Sequence, residues 1–243
     1  MKKENNYIKS FYNKYSSSLN SAGYNFRHYH ISKWLDKLVK IDDTHNALEI
    51  GCGPGHSILN LTNRIKKGKI LGVDISEENI SIAKEFHKDC PNLDFLVSDM
   101  SDFKSQIKFD LVLLPDVLEH IPINQHHQLF LTIRKYLKDT GAVIINIPDP
   151  DYLEFEHLTN KEKLQVIDQP IHTHIISDKL KNTGLKITYL ECYSIDTFDF
   201  NYQIIKLQPN DLELSNKLKP WDMSFKNKIR RRINSIRGLK SFE

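Results

Sequence analysis

Five short apolar runs stand between residues 46 and 148: NALEI, KILGVDI, LDFLVSD, FDLVLLPD and AVIINIP. Each is separated from the next by a turn-rich or helically spaced segment. Strands that alternate with helices, and that are apolar on both faces, predict a parallel sheet covered on both sides. HSILNLTNRI follows the first run with helical spacing. Ser76 is suited to cap a helix that runs to about His87, with Glu78 nearby. HHQLFLTIRKYL reads as a helix stopped by Gly141. Ahead of the first run, Ile31, Trp34, Leu35 and Leu38 predict a helix over 29–38.

The pattern changes after Pro150. Residues 151–171 are polar and acidic, with no clear element. ISDKLKNTG predicts a short helix with Ser177 as N-cap and Gly184 as stop. LKITYLECYSI and FDFNYQIIKL are alternating runs suited to an antiparallel hairpin that closes the sheet. The expected division is an N-terminal cap segment over 1–25, an α/β domain over 26–209 and a basic tail over 210–243.

The chain has 243 residues, 40% of them hydrophobic. That is enough for one packed domain with extensions. No stretch approaches the roughly 18 apolar residues of a membrane helix. The N-terminus lacks the apolar core of a secretory signal. Cys52, Cys90 and Cys192 are odd in number and far apart, so a reducing, cytoplasmic setting is expected. Charge is uneven: from Lys217 to Glu243 nine Lys and Arg face only Asp222 and Glu243.

LEIGCGPGHS places Gly51, Gly53 and Gly55 directly after the first strand. A backbone that turns sharply against a ligand needs residues without a Cβ, and a helix start beyond it offers free N–H groups. The loop departs from the dinucleotide fingerprint G-x-G-x-x-G, whose third glycine position holds His56. Asp74 ends the second strand, where an acid suits the two hydroxyls of a ribose. Asp99 ends the third, where it could meet an exocyclic amine.

In this order, LEIGCGPG, GVDIS, VSDM and FDLVLLPDVLEHI resemble the successive motifs of class I S-adenosylmethionine-dependent methyltransferases. The resemblance covers roughly residues 25–208. It implies a Rossmann-like, doubly wound, seven-stranded and mostly parallel sheet of order 3-2-1-4-5-7-6, with an antiparallel hairpin of the last two strands. It also implies S-adenosylmethionine as cofactor. Glu49, Gly51 and Gly53 would surround its methionine part, with Cys52 and Gly55 in the same loop. Asp74 would bind the ribose, with Ile75 also at the cofactor. Asp99 and Met100 would border the adenine, and the backbone around Leu114 and Pro115 the sulfonium.

The methyl acceptor is less constrained. LPDV differs from the Asp-Pro-Pro-Tyr-like motif of enzymes that methylate nucleobase amines. His120 on one side of the cleft, and His172 or His174 in QPIHTHI on the other, are candidate bases for a hydroxyl acceptor. If a helix begins near Asp116, then Asp116, Glu119 and His120 share one face and form a candidate divalent-metal set, completed by His172 or His174. This run resembles that of ubiquinone-pathway O-methyltransferases and of metal-dependent RNA 2′-O-methyltransferases, but begins with Asp instead of Glu. The segments after Pro150 resemble methyltransferases of bacterial surface-polysaccharide assembly, which implies a saccharide or another small hydroxylated acceptor. Tyr12 and Tyr15 could cover the cofactor, stack on a sugar or anchor their segment. The alternatives are an RNA 2′-O-methyltransferase and a non-catalytic cofactor-binding scaffold.

The tail places Phe225, Ile229, Ile233, Ile236 and Leu239 at helical spacing among Lys and Arg. Such a basic amphipathic helix over 225–240 suits packing on protein, or peripheral contact with the inner face of an anionic membrane. Nucleic acid ranks below these.

Overall fold

The computed structural model describes residues 2–165, 167–195 and 200–210. The basic tail lies outside the described residues. Seven strands form one sheet in the order β3-β2-β1-β4-β5-β7-β6. They are β1 (Ala47–Ile50), β2 (Ile70–Asp74), β3 (Leu93–Val97), β4 (Phe109–Pro115), β5 (Leu137–Pro148), β6 (Leu185–Tyr193) and β7 (Tyr202–Pro209). Strands β1 to β5 are parallel. Strand β7 runs antiparallel between β5 and β6. The sheet order and closing hairpin are those the sequence implied.

The helices are α1 (Lys2–Ala22), α2 (Phe26–Leu38), α3 (Leu59–Thr62), α4 (Glu77–Phe86), α5 (His126–Tyr136), α6 (Pro150–Thr159) and α7 (Thr173–Leu180). Among the described residues none is long and apolar enough to cross a membrane.

Alternation along the central strands divides the core in two. Leu48 and Ile50 of β1, with Val112 and Leu114 of β4, pack with Phe130 and Ile133 of α5 and Ile176 of α7. Ala47, Leu111 and Leu113 face the other way, onto Ile31 and Leu35 of α2 and Leu61 of α3. Phe130 is fully buried. Truncating it to Ala would cost about 3–5 kcal/mol.

Several local details extend or correct the expectations. Residues 2–22 form a helix whose Ile8 is buried and whose Tyr12 is half-buried. Its Ser- and Asn-rich sequence is a weak helix former, so packing supports it. Helix α2 starts at Phe26 because Asn25 accepts from the N–H groups of Arg27 and His28, while His28 Nδ1 accepts from Asn25 N. That capping box sets Arg27 in the first turn.

Helix α3 is a single turn without a side-chain cap. Helix α5 stops at Tyr136, ahead of Gly141. Helix α7 begins after His172, which leaves Ser177 inside it. Strand β3 is the sheet edge and leaves Leu96 and Val97 exposed, so one strand is not covered on both sides.

The largest difference follows β4. Asp116 has φ +54°, in the left-handed region, where an α-helix cannot begin. Its N–H donates to Asn146 O at 2.8 Å. The chain then makes a 3₁₀ turn over Leu118–His120.

Candidate active site

A cavity of about 370 Å³ opens above the carboxyl ends of β1, β2 and β4, where sheets of this topology bind ligands. Gly51 and Gly53 line it at φ +70° and +52°. A Cβ on Gly51 would overlap Val117, whereas at Gly53 it would meet open space. The backbone itself therefore forms this wall, and a Cβ on Gly53 would fill part of the cradle.

Asp74 holds the loop from beneath. Its Oδ2 accepts from Gly53 N at 2.9 Å. Its Oδ1 accepts from Ser76 N at 2.8 Å and from Asn79 Nδ2 at 3.2 Å. Burial raises its pKa, and these donors oppose the rise. Cys52, Ile75, Met100 and Pro115 also reach the wall. Asp99 lines it too, and its Oδ1 accepts from Ser101 N at 3.0 Å and Ser101 Oγ at 2.6 Å.

Three residues expected at the cofactor, Glu49, Gly55 and Leu114, do not line the cavity. Glu49 is fully buried within the strand, on the side opposite Leu48 and Ile50. There Ser57 Oγ donates to its Oε1, and burial pushes its pKa up to about 8. Gly55 turns into the protein: its carbonyl accepts from His87 Nε2 at 2.8 Å. A Cβ there would come within 2.9 Å of His87 Cδ2. Leu114 is fully buried, so Pro115 alone of that pair faces the cavity.

The other end of the cavity belongs to the turn after β4. His120 lines it. Its Nδ1–H donates to Ile167 O at 2.6 Å and stands 3.2 Å from Asp168 Oδ1. In the neutral ring this leaves Nε2 unprotonated. Burial lowers the His120 pKa, and Asp168 opposes the fall. Asp168 is itself held, since its Oδ2 accepts from Gln165 N at 2.7 Å. Gln169 Nε2 donates to Glu119 O at 3.1 Å and Ile121 O at 2.8 Å, which ties the 151–171 segment to the turn.

Glu119 is buried beside His120, its Oε1 3.8 Å from His120 Nε2. Burial, reinforced by Asp116, holds its carboxyl well above the usual carboxylate range. Asp116 is engaged elsewhere. Its Oδ2 pairs with Arg27 Nε at 2.7 Å, and its Oδ1 accepts from Asn146 Nδ2 at 2.8 Å.

The expected metal set of Asp116, Glu119 and His120 therefore does not converge. Its shared helix face required an α-helix that the left-handed Asp116 prevents. Among the described residues, the ligand atoms that do converge belong to Asp151, Glu154 and His172, on the surface. His172 and His174 are also corrected as candidate bases. They stack on each other at 5.7 Å away from the cavity wall, and His172 Nε2 lies 2.9 Å from Glu154 Oε1.

Tyr12 of α1 does reach the cavity and donates to Gln165 Oε1 at 2.9 Å. Tyr15 stacks on Phe11 instead. Helix α1 is further fixed to α4 by Ser76 Oγ, which donates to Asn13 Oδ1 at 2.6 Å. Sequence reasoning missed Arg27, Gln165, Asp168 and Gln169. Only the capping signal of Asn25 bore on one of them, since it starts α2 early enough to include Arg27.

The methyltransferase domain family model matches residues 41–209. Among curated proteins, trans-aconitate 2-methyltransferase of Escherichia coli is 27% identical over 124 residues, which is 51% of this chain and 47% of that protein. The chain thus matches about half the length of that relative. Among solved structures, magnesium protoporphyrin IX methyltransferase from Synechocystis PCC 6803, with bound S-adenosylhomocysteine, superposes with a TM-score of 0.65 at 17% identity. That match covers 84% of this chain and 98% of the other. An N-methyltransferase from Bradyrhizobium japonicum WM9 with S-adenosylhomocysteine gives 0.62 at 16% identity, over 78% of this chain and 90% of that one. These likenesses show the fold, and both structures carry S-adenosylhomocysteine, the demethylated form of the cofactor, for which the glycine cradle with Asp74 beneath it is suited. With its central domain matched from residue 41 to 209 and its sheet in this order, the chain belongs to the class I S-adenosylmethionine-dependent methyltransferases.

Proposed function

We propose that the protein transfers a methyl group from S-adenosylmethionine to a hydroxyl of a small acceptor, with a saccharide as the favoured class. In this reading residues 26–209 form the catalytic domain and 1–25 cap it. Gly51, Gly53, Asp74 and the segment around Asp99 and Met100 hold the cofactor. When bound, the cofactor supplies a methyl on a sulfonium, a neutral leaving group. The protein's work is then mainly alignment and exclusion of water.

The observation that carries the hydroxyl reading is the His120 geometry. A hydroxyl is a poor nucleophile until a base takes its proton. His120 has its Nδ1–H committed to Ile167 O, its ring beside Asp168 and its pKa lowered by burial. It is a neutral base at ordinary pH, with Nε2 as the accepting atom. With the cofactor bound, the acceptor oxygen would take the methyl while the S–CH₃ electron pair stays on sulfur, and His120 Nε2 would take the hydroxyl proton.

Isothermal titration with S-adenosylhomocysteine tests the cofactor half. A folded protein that shows no binding at about 1 mM overturns it. The acceptor half is tested by methyl transfer to a panel of hydroxylated compounds, with His120→Ala as control. Full turnover by that variant overturns the role of His120. A metal-dependent RNA reaction draws no support from the side chains around His120.

A further inference from the structure

We propose that Glu119 is a second acceptor-binding group, and that the site selects an acceptor with two neighbouring hydroxyls and no anionic group. This rests on the hydroxyl-transfer reading above and narrows it to a substrate class.

The Glu119 side chain is 2% exposed and borders the cavity. Its Oε2 has no hydrogen-bond partner. Its Oε1 lies 3.8 Å from His120 Nε2, too far for a hydrogen bond, so these two groups do not satisfy each other. The residue is nonetheless held firmly, because its carbonyl accepts from both Gln169 N and Gln169 Nε2 at 3.1 Å. A buried carboxyl oxygen without a partner is costly, and native structures rarely leave one so. At the wall of a cavity, the missing partner is a donor on the ligand.

His120 Nε2 accepts the proton of the hydroxyl that is methylated. Glu119 Oε2 accepts a hydrogen bond from a second hydroxyl. The two groups belong to consecutive residues and stand side by side, so the two hydroxyls belong on adjacent carbons. A vicinal diol, as in a pyranose ring or a catechol, meets that demand.

Charge limits the acceptor further. Among the described residues Arg27 is the one Lys or Arg on the cavity wall, and Asp116 pairs with it at 2.7 Å. Glu119 and Asp168 stand at the same end. A carboxylate or phosphate placed there would stand beside Asp168, and would force Glu119 to stay protonated, without a free cation to offset it. This separates the site from that of a relative named for trans-aconitate.

The test uses the full chain with S-adenosylmethionine and follows release of S-adenosylhomocysteine. The probes are cis-1,2-cyclohexanediol with cyclohexanol, catechol with phenol, methyl α-mannopyranoside, and trans-aconitate. Turnover should be confined to diols, with at least about tenfold lower kcat/KM on the matched single-hydroxyl compound. Glu119→Ala should shrink that ratio towards one, while the affinity for S-adenosylhomocysteine stays unchanged. Glu119→Gln, which keeps the shape and one acceptor oxygen, should retain part of the preference and serves if the Ala variant does not fold.

Equal turnover of diol and single-hydroxyl probes overturns the proposal, as does methylation of trans-aconitate. Turnover of no diol by a protein that binds S-adenosylhomocysteine overturns it as well. Failure to bind S-adenosylhomocysteine overturns the cofactor reading instead.

Discussion

Asp168 Oδ1 stands 3.2 Å from His120 Nδ1, although the two residues come from segments with no shared element. His120 belongs to the turn after β4, and Asp168 to the coil between α6 and α7. The Ile167 carbonyl beside Asp168 receives the same imidazole N–H. A backbone acceptor and a carboxylate together set the ring's tautomer and rotation.

This pairing predicts graded losses. His120→Ala should lower kcat by about 10²–10⁴, with affinity for S-adenosylhomocysteine unchanged. Asp168→Asn should cost less, about tenfold, because Ile167 O still fixes the tautomer. Steady-state kinetics with titration calorimetry check both. A full-rate His120→Ala enzyme would exclude it as the base.

The pH profile follows from the lowered His120 pKa. The base works unprotonated. kcat/KM should therefore be flat above the ordinary histidine value of about 6.5 and fall only on the acid side below it. An acid limb centred above about pH 7 would contradict this reading.

Glu49 predicts how stability varies with pH. Its folded pKa of about 8 lies above its ordinary 4.5. The native state therefore binds more protons than the unfolded chain between these values. Its contribution is fully present below the ordinary value and is lost as pH rises through the folded one. Thermal midpoints should fall between about pH 5 and about pH 8 and level off above that, and Glu49→Gln should flatten the fall. Glu119 and Asp74 are raised in the same direction and should leave a residual slope. An unaltered slope in Glu49→Gln would sink the assignment.

The two loop glycines should separate by phenotype. Gly51→Ala forces a Cβ into Val117 at φ +70° and should destabilise the fold by about 1–3 kcal/mol. Gly53→Ala meets open space at φ +52°. It should cost only the left-handed strain of about 1–2 kcal/mol, less than Gly51→Ala, which adds the Val117 overlap, and chiefly weaken S-adenosylhomocysteine binding. Thermal denaturation and calorimetry on both variants measure the contrast. Equal affinity of Gly53→Ala and the parent protein would remove that glycine from the cofactor wall.

The sequence by itself determined the sheet. Runs such as ALEI and FDLVLLP are apolar on both faces, and only a strand buried on both sides satisfies them. The glycine loop and Asp74 were legible for the same reason: they sit at fixed offsets from strand ends, where local geometry sets their place. The tertiary structure decided the acceptor end. Three residues of LPDVLEHI looked like one helical face, but Asp116, paired with Arg27 and hydrogen-bonded to Asn146, takes a left-handed conformation and breaks that face. Asp168, Gln165 and Gln169 lie in a segment without periodicity, so no local pattern marks them. Their positions follow from hydrogen bonds to residues far along the chain, and such bonds exist only once the chain has folded.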